Sequence, residues 1–328
     1  MKRYIFTLVA IAALTSCYDD YVKDYDEQAI YFPYQTDVRS VVVGEGMQFR
    51  IGVNLAGVID NKEERVVRFE VDPSLVNAAT LADMKNHAFS YIKNLCAPIA
   101  ALAELPANEY SLLVDGKPAG QTVIPAGAHL GAITVRVDSA AFLADPSRTS
   151  PRFVVPLRLT EVSSTTLLAG KETLVVGVRY ENMLFGHYWH GGCVVVTDPS
   201  NTPVDTIDYP TTIPQADARV WSLATVGPRE LHVNAVGDEL SATTPQFKLT
   251  QEEDGTITVT ALPGASYEVE ADGESAFNRA RLLQDRKIFL AYKYAKGGNI
   301  YHARDTLTFR NRIRDGVNEW QDENTLNY

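Results

Sequence analysis

Gln48-Phe49-Arg50-Ile51-Gly52-Val53-Asn54-Leu55 decides the fold of this chain. Apolar residues at every second position, with polar or small ones between, give a segment one face to bury and one to wet, as a strand in an antiparallel sheet requires. The same alternation returns in Val67, Phe69 and Val71 around Arg68 and Glu70. It returns again in Leu174, Val176, Val178 and Tyr180 around Val175, Gly177 and Arg179. One stretch breaks the pattern. Between Ser74 and Leu105, the apolar residues Leu81, Met84, Ala88, Tyr91 and Leu95 recur at helical spacing, so a helix is expected between strands, ended by Pro98.

Working outward, about nine short strands fit between Ile30 and Tyr180, which predicts an immunoglobulin-like β-sandwich over residues 29–182 with that helical insertion. Glu181-Asn182-Met183 marks the junction, and residues 183–328 read as a meander. Its strands are expected at Tyr188–Val196, Asp205–Tyr209, Arg219–Ala224, Glu230–Val236, Gln246–Gln251, Thr256–Leu262, Lys287–Tyr294 and Ile300–Phe309. Asp254-Gly255 and Gly297-Gly298-Asn299 are hairpin turns between them. Sequential hairpins either close into an antiparallel barrel, calycin-like in form, or stack as a sandwich. The chain is therefore expected to be all-β.

The amino terminus carries an address. Lys2 and Arg3 precede an apolar run from Ile5 to Leu14, too short to span a bilayer and laid out as a signal peptide over residues 1–16. Its end, Leu14-Thr15-Ser16-Cys17, resembles the lipobox of bacterial lipoproteins, which makes Cys17 the lipidated first residue of the mature chain. Residues 17–28 are polar and acidic, a solvated tether. Asp19 and Asp20 resemble the export signal that sends Bacteroidetes lipoproteins to the outer face of the outer membrane.

With 41 acidic against 30 basic residues, the formal charge is −11, and the chain repels a phosphate backbone. Nucleic acid is thereby excluded as a partner. Only Cys96 and Cys193 remain beyond Cys17, in what read as different domains, and buried free thiols are expected in preference to a bridge.

No metalloprotease, nucleophile-elbow, P-loop or EF-hand pattern occurs, so no enzyme activity, metal or cofactor is expected. His187 and His190, three apart in a strand, project to opposite faces and do not make a metal pair. Asp198, Asp205 and Asp208 lie near turns, where turn formation explains them. What the sequence does offer is aromatic surface, which packs on the apolar faces of sugar rings. Trp189 and Tyr188 point to opposite sides of one strand, so one of them is core. Trp221, in Arg219-Val220-Trp221-Ser222-Leu223, reads first as core-filling. Trp320 sits in a polar tail and needs a partner, either sugar or the protein's own surface. These four residues are the candidate glycan-binding set.

A family resemblance enters at Pro106-Ala107-Asn108-Glu109-Tyr110-Ser111-Leu112, continuing through Val123-Ile124-Pro125-Ala126-Gly127, Ile133–Val137 and Phe153–Val162. These stretches resemble the N-terminal, immunoglobulin-like domain of unknown function found in many Bacteroidetes surface lipoproteins. Gly186-His187-Tyr188 and Tyr301 through Thr306–Arg312 are similar to the domain that often follows it. Gly186-His187-Tyr188-Trp189 also resembles the Gly-x-Trp that opens lipocalin barrels, with the Trp displaced by one. The resemblance implies a place in a polysaccharide-utilisation locus, with glycan as ligand and SusC-like and SusD-like proteins as partners, and it supplies no catalytic residues. The same N-terminal domain occurs attached to chitinase-like endoglycosidases, but no room remains here for a barrel of about 250 residues. The expected function is non-catalytic glycan binding at the cell surface. The alternatives are an adhesin or structural subunit that binds protein, a glycoside hydrolase, or a carrier of a small lipophilic ligand.

Overall fold

The computed structural model describes residues 24–210, 219–239 and 242–322, so Cys17, the signal peptide and most of the acidic tether lie outside the described residues. Among the described residues no helix is long and apolar enough to cross a membrane. The first unit holds β1 (Ala29–Tyr31), β2 (Thr36–Val42), β3 (Gln48–Ala56), β4 (Arg65–Val71), β5 (Ala103–Glu104), β6 (Tyr110–Val114), β7 (Lys117–Pro118), β8 (Gln121–Ile124), β9 (Leu130–Val137), β10 (Phe153–Val162), β11 (Thr166–Leu167) and β12 (Thr173–Glu181). They form two six-stranded sheets, β11-β1-β3-β9-β6-β7 and β2-β12-β10-β4-β8 with β5 beside β10. The alternation of β3 works as read: Ile51, Val53 and Leu55 meet Val67, Phe69, Ile133, Val135, Leu157, Val176 and Val178 in one core between the sheets. Burial of these side chains, at roughly 1.5–3 kcal/mol each, is the main source of this unit's stability.

The second sheet departs from the expected one-sided strand. Val175 and Gly177 are buried as well as their neighbours, because the insertion covers the outer face of β12. Its single expected helix is two short ones, α1 (Ala78–Lys85) and α2 (Ser90–Cys96). Asn77 caps α1 by accepting from the Thr80 amide, and the helix stops at Asn86, whose side chain donates back to the Ala82 carbonyl. The break resets the helical phase, so Ile92 and Cys96 are the fully buried residues of α2, while Tyr91 and Leu95 are only partly covered. Gly177 permits the close approach: a Cβ there would lie 2.7 Å from the Pro151 carbonyl oxygen and 3.4 Å from Met84 Cε. A third helix, α3 (Ser139–Leu143), is capped by Asp138 and places Phe142 in the sandwich core.

The second unit comprises β13 (Gly186–Thr197), β14 (Pro203–Tyr209), β15 (Val220–Gly227), β16 (Glu230–Val233), β17 (Phe247–Gln251), β18 (Ile257–Ala261), β19 (Val269–Ala271), β20 (Ala276–Phe277), β21 (Lys287–Lys296), β22 (Asn299–Arg314) and β23 (Val317–Glu319). One eleven-stranded sheet runs β18-β17-β16-β15-β13-β22-β21-β19, with β14 on β13, β20 on β21 and β23 on β22. The sheet curls until β18 reaches the β20 end: Thr256 and Ala276 form a bridge, with Ile257 N donating to Ser275 O and Phe277 N to Gly255 O. Tyr188, Val194, Val196, Trp221, Leu231, Phe247, Tyr292 and Leu307 fill the inside of the curl.

Buried polar groups join the units. Asn182 donates to the Pro228 carbonyl and accepts from the Leu184 amide, which fixes the connection between them. The Glu45 carboxylate is enclosed between two buried arginines of the second unit, Arg286 at 2.7 Å and Arg312 at 2.7 and 3.0 Å. Burial would push the Glu45 pKa up, but the Arg312 and Arg286 guanidiniums outweigh it and hold the carboxyl below its ordinary value. The β22–β23 turn, Asp315-Gly316, reaches back to the first unit, where Asp315 accepts from the Ser40 amide at 3.0 and 3.1 Å. Gly316 lies in the left-handed region at φ +78°, and a Cβ there would stand 2.8 Å from the Tyr91 ring. Gly316→Ala is therefore expected to lift the turn off the sandwich at a cost of about 1–3 kcal/mol. Faster hydrogen exchange at the Ser40 amide, with β3 amides unchanged, would register it; unchanged exchange at Ser40 would refute it.

Candidate functional site

Pro33 restricts Phe32 to extended backbone, and Phe32 is buried, so the crossover from the first sheet to the second turns Tyr34 outward, 45% exposed. Across from it, the break between α1 and α2 presents Phe89, 41% exposed, at the start of α2. The Phe89 amide donates to His87 Nδ1 at 2.9 Å, which makes that nitrogen an acceptor and fixes the imidazole beside the ring. Phe89 meets Tyr34 edge-on at 5.4 Å, lies 5.1 Å from the His87 ring and stacks with Tyr91 at 6.1 Å and 15°. Four rings thus form one ledge on the surface of the first unit.

A shallow cleft of about 80 Å³ opens beside Tyr34, lined by Pro33, Asp37, Arg39, Arg50, Ile51, Gly52 and Leu174. It exists because β1 pairs with β3 only over Asn54–Ala56, leaving the Arg50–Gly52 stretch without a neighbour on that side. Gly52 adds no side chain to the lining, and a Cβ there would meet Leu130 Cδ1 at 2.9 Å. Asp37 is fully engaged. Its Oδ1 accepts from the Val38 amide at 2.8 Å and the Tyr91 hydroxyl at 2.9 Å, while Oδ2 pairs with Arg39 at 2.8 Å. Burial first, and then the Asp37 charge, pushes the Tyr91 hydroxyl pKa well above its usual value, so it remains a donor. Ring faces bordered by polar groups suit binding of an amphipathic ring, with apolar C–H faces on the ledge and hydroxyls in the cleft. Among the described residues, no group of His, Cys, Asp or Glu could hold a metal ion.

The four aromatics singled out in the sequence are not brought together. Tyr188 and Trp221 are core: the Tyr188 hydroxyl donates to the Leu184 carbonyl and its ring packs edge-on against Phe309 at 5.5 Å, while Trp221 stacks on His190 at 4.0 Å. Neither can meet a ligand from solution, because the curl of the sheet encloses both. Trp189 projects to the outer wall, half-buried, with the Arg310 guanidinium 4.8 Å from its ring centre. Trp320 is 56% exposed, just beyond β23.

His187 and His190 do point to opposite sides. His187 bonds Ser222 outside at 2.9 Å, whereas His190 Nε2 lies 3.1 Å from Asp305 inside. That inner approach lacks hydrogen-bond alignment, so both His190 ring nitrogens are without a hydrogen bond. Asp305 instead accepts from the hydroxyls of Tyr209 and Tyr292. Both cysteines are free: Cys96 is buried, which pushes its thiol up to about 11, and Cys193 is only half-buried.

Sequence reading missed Tyr34, His87 and Phe89. Phe89 sits off the apolar stripe of the insertion, and a large aromatic at a non-core position was the available signal.

The architecture is a β-sandwich followed by a curled antiparallel sheet. Residues 1–17 match the prokaryotic membrane lipoprotein lipid attachment site, and residues 25–166 match a family model described as "-like, N-terminal domain". The chain is therefore an exported, lipid-anchored protein, and its residues 25–166 are similar to that N-terminal domain. A Bacteroides ovatus protein of unknown function shares its fold, with a TM-score of 0.64 at 20% identity over 91% of this chain and 98% of the other. Two further Bacteroides ovatus proteins superpose more loosely. One is a multidomain protein including DUF1735, with a TM-score of 0.43 at 14% identity over 90% of this chain and all of the other. The second is a putative carbohydrate binding protein, with a TM-score of 0.29 at 16% identity over 70% of this chain and 66% of the other. No curated protein matches the chain.

Proposed function

We propose that this lipoprotein is a non-catalytic glycan-binding protein displayed on the outer face of the outer membrane, where it captures polysaccharide or oligosaccharide beside a SusC-like transporter and its SusD-like partner. The observation that carries the reading is the ledge that exposed Tyr34 and Phe89 form with half-buried Tyr91 beside a polar cleft. Large contiguous exposed aromatics on a folded unit mark a binding surface, and the lipid attachment site supports an anchored protein whose work is done outside the cytoplasm. The curled second unit contributes its Asp315-Gly316 turn, which backs Tyr91, and not the binding face itself.

Affinity electrophoresis of residues 18–328 through gels containing plant, host and microbial polysaccharides tests this. At least one polysaccharide is expected to retard the protein, and Phe89→Ala should weaken that binding about tenfold or more, as loss of one stacked ring does. Trp189→Ala and Trp320→Ala are expected to leave it within about twofold. Retention on no gel would exclude glycan capture. A second reading, protein binding by strand addition, is favoured by β14, which is exposed and pairs only with β13 among the described residues.

A further inference from the structure

We infer that the ledge and cleft take an anionic glycan, one whose rings carry carboxylate or sulfate groups, and that Arg50 is the residue that recognises the charge. This rests on the glycan-binding reading above and narrows its ligand. The protein is acidic overall, at −11, so the local balance of charge at this site runs against the whole. Arg39 and Arg50 line the cleft with one carboxylate, Asp37. That carboxylate is already engaged by Arg39, by Tyr91 and by its own strand's amide. It offers nothing to Arg50, which is exposed and has no hydrogen-bond or ion-pair partner among the described residues.

The charge extends along the outer face of the first sheet. Arg50 pairs across with Thr134, and the diagonal neighbour on β9 is Arg136, whose Nε donates to Gln48 Oε1 at 3.3 Å. No carboxylate lies within salt-bridge distance of Arg50 or Arg136 among the described residues. An exposed guanidinium alone is ordinary solvated surface. Here it borders the same cleft as Tyr34, at the foot of a four-ring ledge, so a sugar ring stacked on the ledge brings its substituents to the Arg50 fork. A planar guanidinium holds a carboxylate or sulfate with two parallel N–H···O bonds, a geometry a neutral hydroxyl does not reproduce.

The test uses residues 18–328 on gels containing polygalacturonate or alginate for carboxylates, chondroitin sulfate or carrageenan for sulfates, and mannan, galactan or xyloglucan as neutral controls. Retardation is expected on at least one anionic gel. It should weaken about tenfold in Arg50→Gln, keep part of its strength in Arg50→Lys, and decline as salt rises from about 0.05 to 0.5 M. Whichever anionic class retards the protein distinguishes carboxylate from sulfate. Retardation confined to neutral polysaccharides, or anionic binding unchanged in Arg50→Gln but lost in Phe89→Ala, would overturn this inference and leave glycan capture standing. Retardation by none would overturn both. Because Arg50 is exposed and unpaired, the variants are expected to keep the wild-type urea midpoint, so lost binding is not lost folding.

Discussion

Glu45→Ala is expected to destabilise the protein by about 3–5 kcal/mol, the range found when one partner of a buried ion pair is removed. The carboxylate sits between Arg286 and Arg312, both almost fully enclosed, and its removal leaves two buried guanidiniums facing each other. Arg312 keeps Glu319, and Arg286 keeps the Met183 and Arg281 carbonyls. The like charges nonetheless lose the anion between them. The loss falls on the junction, since Glu45 belongs to the first unit and both arginines to the second. Urea unfolding followed by fluorescence should show a lower midpoint and a transition split in two as the units cease to unfold together.

The pH dependence has a definite sign. A carboxyl whose folded pKa is depressed stabilises the fold above its unfolded value, ordinarily near 4.5, and that contribution is lost as pH falls through the lower folded value. The acid side of the stability profile should therefore be steeper in the wild type than in Glu45→Gln, and the two should converge at low pH. Parallel profiles would show that Glu45 titrates alike in both states.

Trp221→Ala is the second large effect, expected to cost about 3–5 kcal/mol through the cavity it opens. The indole stacks on His190 at 4.0 Å and 16°, and meets Phe247 edge-on at 6.1 Å. Its loss also uncovers the His190–Asp305 approach inside the curled sheet. Because the residue is enclosed, polysaccharide binding by the fraction still folded should be unchanged. Trp320→Ala, at the exposed tail, is expected to shift the urea midpoint little, within about 0.5 kcal/mol. If instead Trp221→Ala lost binding with its stability intact, the ledge would not be the platform.

Most strand positions were legible because alternation is a local property: each strand of the meander read from sequence has its counterpart between β13 and β22 within a few residues. The lipid anchor was equally legible, since a signal peptide is recognised as a linear string. The short strands β19, β20 and β23 carried too few residues to show a period. The insertion was legible as helical, but not as two helices, because the stop at Asn86 depends on a side-chain capping bond rather than on the apolar stripe.

The candidate site divides in the same way. Composition and the three tryptophans pointed to aromatic recognition, yet two of the residues nominated lie apart on the surface and the other two in the core. A strand's sequence tells which residues share a face but not which face the curl of the sheet will enclose, and that curl buried Tyr188 and Trp221. The ledge joins residues from a crossover at Tyr34 and a helix start at Phe89, more than fifty positions apart. The cleft beside it exists only because β1 is too short to cover β3. The sequence by itself determined the strands and the anchor through local periodicity and linear signals. Only the tertiary structure decided which aromatics face solvent together, and where an arginine stands without a carboxylate, because both depend on what packs over each face.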